Sequence, residues 1–132
     1  MKPLPALLLA LAAIALPTDA LACSCARPQP VPHAVDDATR VFVGSVTDIE
    51  DVDAFHQRVT FRVTEHFKGS AVESVELVTA KSSVMCGYPF LENGSYVVYA
   101  QGEEGVLGTG SCSRTTLAMQ GSDLEALRSL DK

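Results

Sequence analysis

The clearest hydrophobic pattern lies in residues 55–67, where apolar and polar side chains alternate with a period of two. One face carries Phe55, Val59, Phe61, Val63 and Phe67, and the other carries His56, Arg58, Thr60, Arg62, Thr64 and His66. Successive side chains of a strand point to opposite faces of a sheet, so this alternation predicts a strand with one buried face.

Four further segments have the composition of strands. They are expected at residues 41–50, 72–80, 96–101 and 106–113, separated by turns such as Asn93-Gly94. Gly44 interrupts the first of them, which indicates a bend or bulge. A capping box at residues 122–125 predicts a short C-terminal helix with Leu124, Leu127 and Leu130 on its apolar side.

Prolines define the segment in front of the first strand. Pro28, Pro30 and Pro32 favour extended backbone over residues 26–33, and residues 34–40 would form one or two helical turns. Five strands with short flanking helices predict a mainly β domain. A closed five-stranded barrel such as the OB-fold is the preferred architecture, since closure removes exposed sheet edges, and a two-sheet sandwich is the alternative.

The first 22 residues have the pattern of an export signal. Lys2 is followed by an apolar run over residues 4–16 and then by Ala20-Leu21-Ala22, an Ala-x-Ala cleavage site. The apolar run is too short for a comfortable membrane span. We therefore expect residues 1–22 to be removed. Residues 23–132 would form a single exported domain, extracellular or periplasmic, without a transmembrane segment.

The net charge and the absence of known catalytic motifs exclude several classes of function. Ten Lys and Arg residues stand against sixteen Asp and Glu residues, and this net charge of −6 argues against nucleic-acid binding. The sequence has no zinc-protease, serine-hydrolase or phosphate-loop motif. His56 and His66 would be roughly 33 Å apart along one strand, too far to share a metal ion. We therefore do not expect an enzyme.

The four cysteines, Cys23, Cys25, Cys86 and Cys112, all lie in the part expected to be exported. An even number in a small exported domain predicts disulfides. A Cys23–Cys25 bond would close a strained ring, so each N-terminal cysteine should pair with a distant one, in either of two combinations. Cys-x-Cys lacks the usual spacing of zinc ligands, and no βαβ pattern accompanies it, so neither a metal site nor a redox motif is predicted.

Cleavage after Ala22 would make Cys23 the first residue of the mature chain. If Cys23 and Cys25 are both bonded inward, Ser24 faces outward and the Cys23 amine and carbonyl are held at the surface. An amine and a carbonyl on one residue can close a five-membered chelate ring on a metal ion. The plainer interpretation is that the disulfides only stabilise a small domain.

Several of these segments resemble the tissue inhibitors of metalloproteinases. The resemblance extends from Cys23 to about Arg114, and it includes a Cys-x-Cys start followed by a proline-rich stretch. The matching segments are Cys-Ser-Cys-Ala-Arg-Pro-Gln-Pro at 23–30, Phe-Val-Gly at 42–44, Val-Met-Cys-Gly-Tyr at 84–88 and Gly-Ser-Cys-Ser at 110–113.

The resemblance implies a netrin-like OB-fold domain in which Cys23 pairs with Cys86 and Cys25 with Cys112. It also implies a monomeric inhibitor of zinc metalloendopeptidases. Such an inhibitor has no cofactor of its own: the Cys23 amine and carbonyl would bind the zinc supplied by the target protease. Ser24 would enter the adjacent specificity pocket. The remaining protease-binding residues would be Cys25, Ala26, Arg27, Pro28, Val84 and Met85.

Several features depart from the family pattern. Val35 stands near the position of one cysteine of the family's third inhibitory-domain disulfide. Only a short helix is expected after Arg114, so the family's cysteine-rich C-terminal domain is not expected. The loop before Phe42 is shorter than in the family, and no long hairpin extends from the first two strands. The alternative function is a netrin-like binding module without inhibitory activity. It would contact a cell-envelope or extracellular partner through the polar strand face around Arg58 and Arg62.

A cysteine that directly follows an export signal can also be a lipid-attachment site, which would block the Cys23 amine. The usual lipobox has Leu three residues before the cysteine and a small residue two before it, whereas Ala20 and Leu21 have the reverse order. We therefore predict an unmodified Cys23. Intact-mass spectrometry should give the mass of residues 23–132 minus two hydrogens per disulfide. A mass increased by acyl and glyceryl groups would contradict this prediction and the zinc-binding role of Cys23.

Overall fold

The computed structural model describes residues 23–119 and 122–130, so the predicted export signal, residues 1–22, lies outside it. The elements of the described residues are α1 (Val31–Asp37), β1 (Arg40–Asp51), β2 (His56–Lys68), β3 (Ser74–Ala80), β4 (Ser95–Ala100), β5 (Thr116–Leu117) and α2 (Leu124–Leu130). The five strands form one antiparallel sheet in the order β3-β2-β1-β4-β5. The prediction of a mainly β fold is confirmed. No helix within the described ranges is long and apolar enough to cross a membrane.

The sheet does not close into a continuous barrel. Residues 107–109 form isolated bridges both with β3, at one edge of the sheet, and with Gln101, just after β4. The Val78 N–H of β3 donates to the Leu107 carbonyl at 2.9 Å, and Gln101, just after β4, exchanges two 2.8 Å hydrogen bonds with Gly108. The strand predicted at residues 106–113 is therefore wrong: that segment contains only the isolated bridge at Gly108, with a turn at residues 111–112, and the fifth strand is β5.

Both faces of β4 and of the first half of β1, residues 40–46, are largely buried. Phe61 lies in the larger hydrophobic cluster, with its ring edge-to-face against Phe42 and Phe90 at centroid distances of 5.5 and 5.1 Å. The two helices cover the other face, where Leu127 of α2 is fully buried. The buried residues of this helix-side cluster are Ala38, Val41, Val43, Val97, Tyr99 and Leu127, and Val35 packs against them.

Gly44 lies at an irregularity of β1, as the sequence predicts. The register with β2 shifts between Val43 and Gly44. A Cβ atom on Gly44 would lie 3.1 Å from both the Arg62 carbonyl oxygen and the Phe61 Cβ, so the adjacent strand approaches closely here. A bulge bends a strand and increases its twist. Here it lies between the buried residues Phe42 and Val46.

Three local predictions are wrong, each for a local reason. Residues 31–33 are helical and not extended, because Pro32 lies in the first turn of α1, where a backbone N–H has no helical partner. Phe55 lies in the turn before β2 and is 60% exposed. Leu130 is half-exposed at the end of α2, which leaves Leu124 and Leu127 as the packed leucines of that helix.

A network of hydrogen bonds around Arg114 connects the start of α2 to the N-terminal segment. Arg114 donates from Nε and Nη2 to the two carboxylate oxygens of Asp123, both at 2.6 Å, and the Tyr99 hydroxyl donates to Asp123 at 2.9 Å. Arg114 Nη1 donates to the Gln29 carbonyl at 3.0 Å. The predicted capping box is not formed as expected, since the Ser122 hydroxyl has no hydrogen bond to any described residue.

Asp123 should make folding sensitive to acid. The hydrogen bonds from Arg114 lower the pKa of Asp123 below its ordinary value, against the opposing effect of burial. A lowered folded-state pKa means that the carboxylate stabilises the fold above the unfolded-state pKa of about 3.9, and that this contribution is lost as pH falls through the folded-state value.

We predict that Asp123→Asn lowers the free energy of unfolding at neutral pH by roughly 1–3 kcal/mol, because it weakens charge-assisted hydrogen bonds. The substitution should also make stability less dependent on pH below about 4. Urea unfolding at a series of pH values measures both effects. Glu125→Gln, an exposed charge on the same helix, is the matched control and should change stability by about 0.5 kcal/mol or less. Equal effects of the two substitutions would refute the role given to Asp123.

Candidate functional site

Both N-terminal cysteines are disulfide-bonded in the structure. Cys23 is bonded to Cys86 and Cys25 to Cys112, with sequence separations of 63 and 87 residues. These are the pairs that the family resemblance implies. Loops of this length give each bond a stabilisation of roughly 4 kcal/mol through restriction of the unfolded chain. The bonds fix residues 23–25, which have no regular secondary structure.

The two disulfides lie directly against each other. Cys23 Sγ is 3.4 Å from Cys112 Sγ, and Cys112 Sγ is 4.0 Å from Cys86 Sγ. The Sγ atoms of Cys23, Cys25 and Cys112 all lie within 4.8 Å of one another. Within residues 23–119 and 122–130, no other group of three or more His, Cys, Asp or Glu ligand atoms is close enough to hold one metal ion. Disulfide sulfurs are not thiolates, so the oxidised cluster offers no thiolate ligand.

Val84 and Met85 form an exposed apolar pair immediately before Cys86. They belong to a short 3₁₀ helix, Ser83–Met85, whose first turn is capped by the Ser82 side chain accepting from Val84 N at 3.1 Å. Val84 is 54% exposed and Met85 46%. Both are therefore large apolar side chains exposed on a hydrogen-bonded turn.

Backbone contacts join the Cys86 and Cys112 loops without help from the disulfides. Ser111 N donates to the Cys86 carbonyl oxygen at 2.9 Å. A Cβ on Gly110 would lie only 2.3 Å from that oxygen, so glycine is required for this approach. Cys86 itself has a φ of 63°, in the left-handed region that non-glycine residues rarely adopt. The Cys86 main chain is thus held in an uncommon conformation where the two loops meet.

The residues predicted to contact a protease lie at the surface. Residues 24–30 are all exposed, including Ser24, Ala26, Arg27 and Pro28. The Cys23–Cys86 bond attaches this segment to the loop that carries Val84 and Met85. At its other end the segment is held by the hydrogen bond from Arg114 to the Gln29 carbonyl.

The strand face suggested for an alternative partner has mixed charge. Arg58 on β2 lies 3.9 Å from the Glu50 carboxylate on β1, and Arg62 is exposed on the same strand. On β3, Glu76 is paired with Thr60 of β2, between these two arginines. Acidic residues therefore alternate with the arginines on this face.

Two residues that shape the site were not identified from the sequence. Ser82 could have been found, because a serine two residues before an apolar turn is a common cap. Arg114 had no local signal, because its partners Asp123 and Gln29 are 9 and 85 residues away along the chain.

Comparisons with known proteins leave the family unassigned. Neither the protein-family models nor the curated proteins that were searched match this chain.

Proposed function

We propose that the mature protein is an exported inhibitor of zinc metalloendopeptidases, and that the Cys23 amine and carbonyl bind the zinc of the protease. The observation that best supports this proposal is the Cys23–Cys86 bond. It holds the first residue of the expected mature chain beside the exposed pair Val84 and Met85. We also propose a netrin-like OB-fold barrel as the finer architecture, with residues 107–109 linking β3 to the end of β4.

The chemistry follows from how a catalytic zinc is coordinated. Such a zinc has three protein ligands and keeps a position for water or substrate. The amine and carbonyl of Cys23 would replace that water and close a five-membered ring. Because two disulfides already fix residues 23–25, little conformational entropy would be lost on binding.

The neighbouring residues would determine specificity. Ser24 is exposed between the two bonded cysteines and would enter the pocket that normally receives a substrate side chain. Ala26, Arg27 and Pro28 would continue along the cleft. Val84 and Met85 would contribute apolar area on the other side of the zinc, and burying their exposed surface would favour binding.

The decisive experiment compares the authentic N-terminus with one extended by a single alanine. Protein exported with its own leader, and shown by mass to begin at Cys23, is titrated against a panel of zinc endopeptidases. The extension converts the amine into an amide, which is a poor zinc ligand, and leaves both disulfides and Val84–Met85 in place. We expect inhibition to weaken by roughly 100-fold, equivalent to about 2.8 kcal/mol.

Equal urea stability of the two forms serves as the control for folding. Failure of the authentic protein to inhibit any panel member at micromolar concentration would count against the proposal. Partner binding that survives the extension would instead favour the binding module without inhibitory activity.

Inhibition should also depend on pH through the Cys23 amine. Only the unprotonated amine binds zinc, and its ordinary pKa is about 8. Protons compete with the metal below that value, so the inhibition constant should rise by up to about tenfold per pH unit on acidification. The alanine-extended form carries no amine at this position and reports the pH dependence of the protease itself. The same pH slope in both forms would show that the amine is not the ligand.

A further inference from the structure

We propose that reduction of the two disulfides creates a binding site for one Zn²⁺ ion, with Cys23, Cys25, Cys86 and Cys112 as its four ligands. This site is distinct from the proposed inhibition. There the oxidised protein contacts the zinc of another protein through an amine, whereas here the reduced protein holds an ion through its own sulfurs. The inference depends on the disulfide cluster alone and stands whether or not a protease is the partner.

Three of the four sulfurs, those of Cys23, Cys25 and Cys112, lie within 4.8 Å of one another, and Cys86 Sγ lies 4.0 Å from Cys112 Sγ. A tetrahedral zinc site has Zn–S distances of about 2.3 Å, which places its sulfurs about 3.8 Å apart. The non-bonded contacts of Cys112 Sγ with Cys23 Sγ and Cys86 Sγ, 3.4 and 4.0 Å, lie on either side of that value. The Cα atoms of the bonded pairs are 5.1 and 5.2 Å apart. Once reduced, the sulfurs of each pair can separate by side-chain rotation, and a small movement of the loops would bring Cys25 and Cys86 to the same ion.

Two of the four ligands would stay in position without any disulfide. The Cys86 and Cys112 loops are joined by the hydrogen bond from Ser111 N to the Cys86 carbonyl. The 3₁₀ helix before Cys86 has its own cap in Ser82. Cys23 and Cys25 lie on a short segment that the hydrogen bond from Arg114 to the Gln29 carbonyl holds near these loops. After reduction they would therefore stay close to Cys86 and Cys112. A partly preformed site loses less entropy on binding the ion.

The surroundings also suit a metal–thiolate centre. Cys25 and Cys112 are exposed, so a reductant and an ion can both reach the cluster. The Ser111 hydroxyl lies 3.8 Å from Cys23 Sγ and can donate to a thiolate there. The Cys-x-Cys spacing argued against a metal site on sequence grounds, yet the Cys23 and Cys25 sulfurs lie within 4.8 Å of each other. That spacing therefore allows both to bind one ion.

Two equivalents of a phosphine reductant supply four electrons, and water supplies the protons and the oxygen of the phosphine oxide, so that two disulfides become four thiols. Zn²⁺ then displaces the thiol protons and binds the thiolates. Affinity should accordingly fall as pH is lowered.

The test uses Co²⁺ as a coloured substitute for Zn²⁺. The exported protein is reduced with a phosphine, which does not compete as a thiol ligand, and is titrated with Co²⁺ under anaerobic conditions. We expect one Co²⁺ per chain with strong thiolate-to-cobalt charge-transfer absorption and the visible bands of tetrahedral geometry. One equivalent of Zn²⁺ should remove the colour. The oxidised protein should show neither signal.

Two variants separate the site from nonspecific thiol binding. Cys25→Ser combined with Cys112→Ser leaves two sulfurs, and we expect affinity for Zn²⁺ to fall by roughly 100-fold with loss of the tetrathiolate spectrum. Glu125→Gln is the control, since it changes an exposed side chain on α2 and keeps all four sulfurs. It should retain the stoichiometry and the spectrum of the parent.

Circular dichroism shows whether the metal-bound protein is folded. Retained β-sheet signal in the metal-bound protein supports the proposal, as does refolding of a reduced, unfolded chain by one equivalent of Zn²⁺. The proposal is overturned if the reduced protein takes up no stoichiometric ion, if the double serine variant binds as tightly as the parent, or if the ion binds without any folded signal.

Discussion

The hydrogen bond from Ser111 N to the Cys86 carbonyl is the contact on which the candidate site depends. It brings together two loops that follow β3 and β4, and it needs glycine at position 110 for the backbones to approach. Each loop carries one of the cysteines that bind the N-terminal segment. Because the loops meet, the two disulfides meet as well, and both ends of Cys23-Ser24-Cys25 are fixed to one small region.

The N-terminal segment shows how a stretch without secondary structure can be held rigidly. It has no strand ladder of its own between Cys23 and Pro30. Covalent bonds fix one end, and Arg114 fixes the other through the Gln29 carbonyl. Arg114 is oriented in turn by Asp123 and, through it, by Tyr99 of β4. The geometry of the exposed segment therefore depends on the packing of α2 against the sheet.

Elements set by local sequence were predictable, and those set by distant contacts were not. The alternation around Val59 and Phe61 gave β2 and its buried face, and Gly44 marked the bulge. Val106, Leu107 and Thr109 are compatible with a strand, but Gly110 packs against the Cys86 loop, so the segment turns there instead of extending. The 3.4 Å contact between Cys23 Sγ and Cys112 Sγ joins residues 89 positions apart, and the hydrogen bond from Arg114 to Asp123 joins residues 9 positions apart. No periodic pattern in the sequence predicts contacts of this kind.

The disulfides and the hydrophobic core are separate in this fold, and this separation has a chemical consequence. No cysteine belongs to either cluster of buried residues described here, and the sheet that supports those clusters is joined by its own hydrogen bonds. A change in the bonding of the sulfurs therefore acts first on the exposed N-terminal segment and the two loops, and only indirectly on the core. In the proposed mature chain the oxidised cluster would present a fixed terminal amine, whereas a reduced cluster would release that amine and offer thiolates. Since both proposed activities use Cys23, they would exclude each other at this one residue.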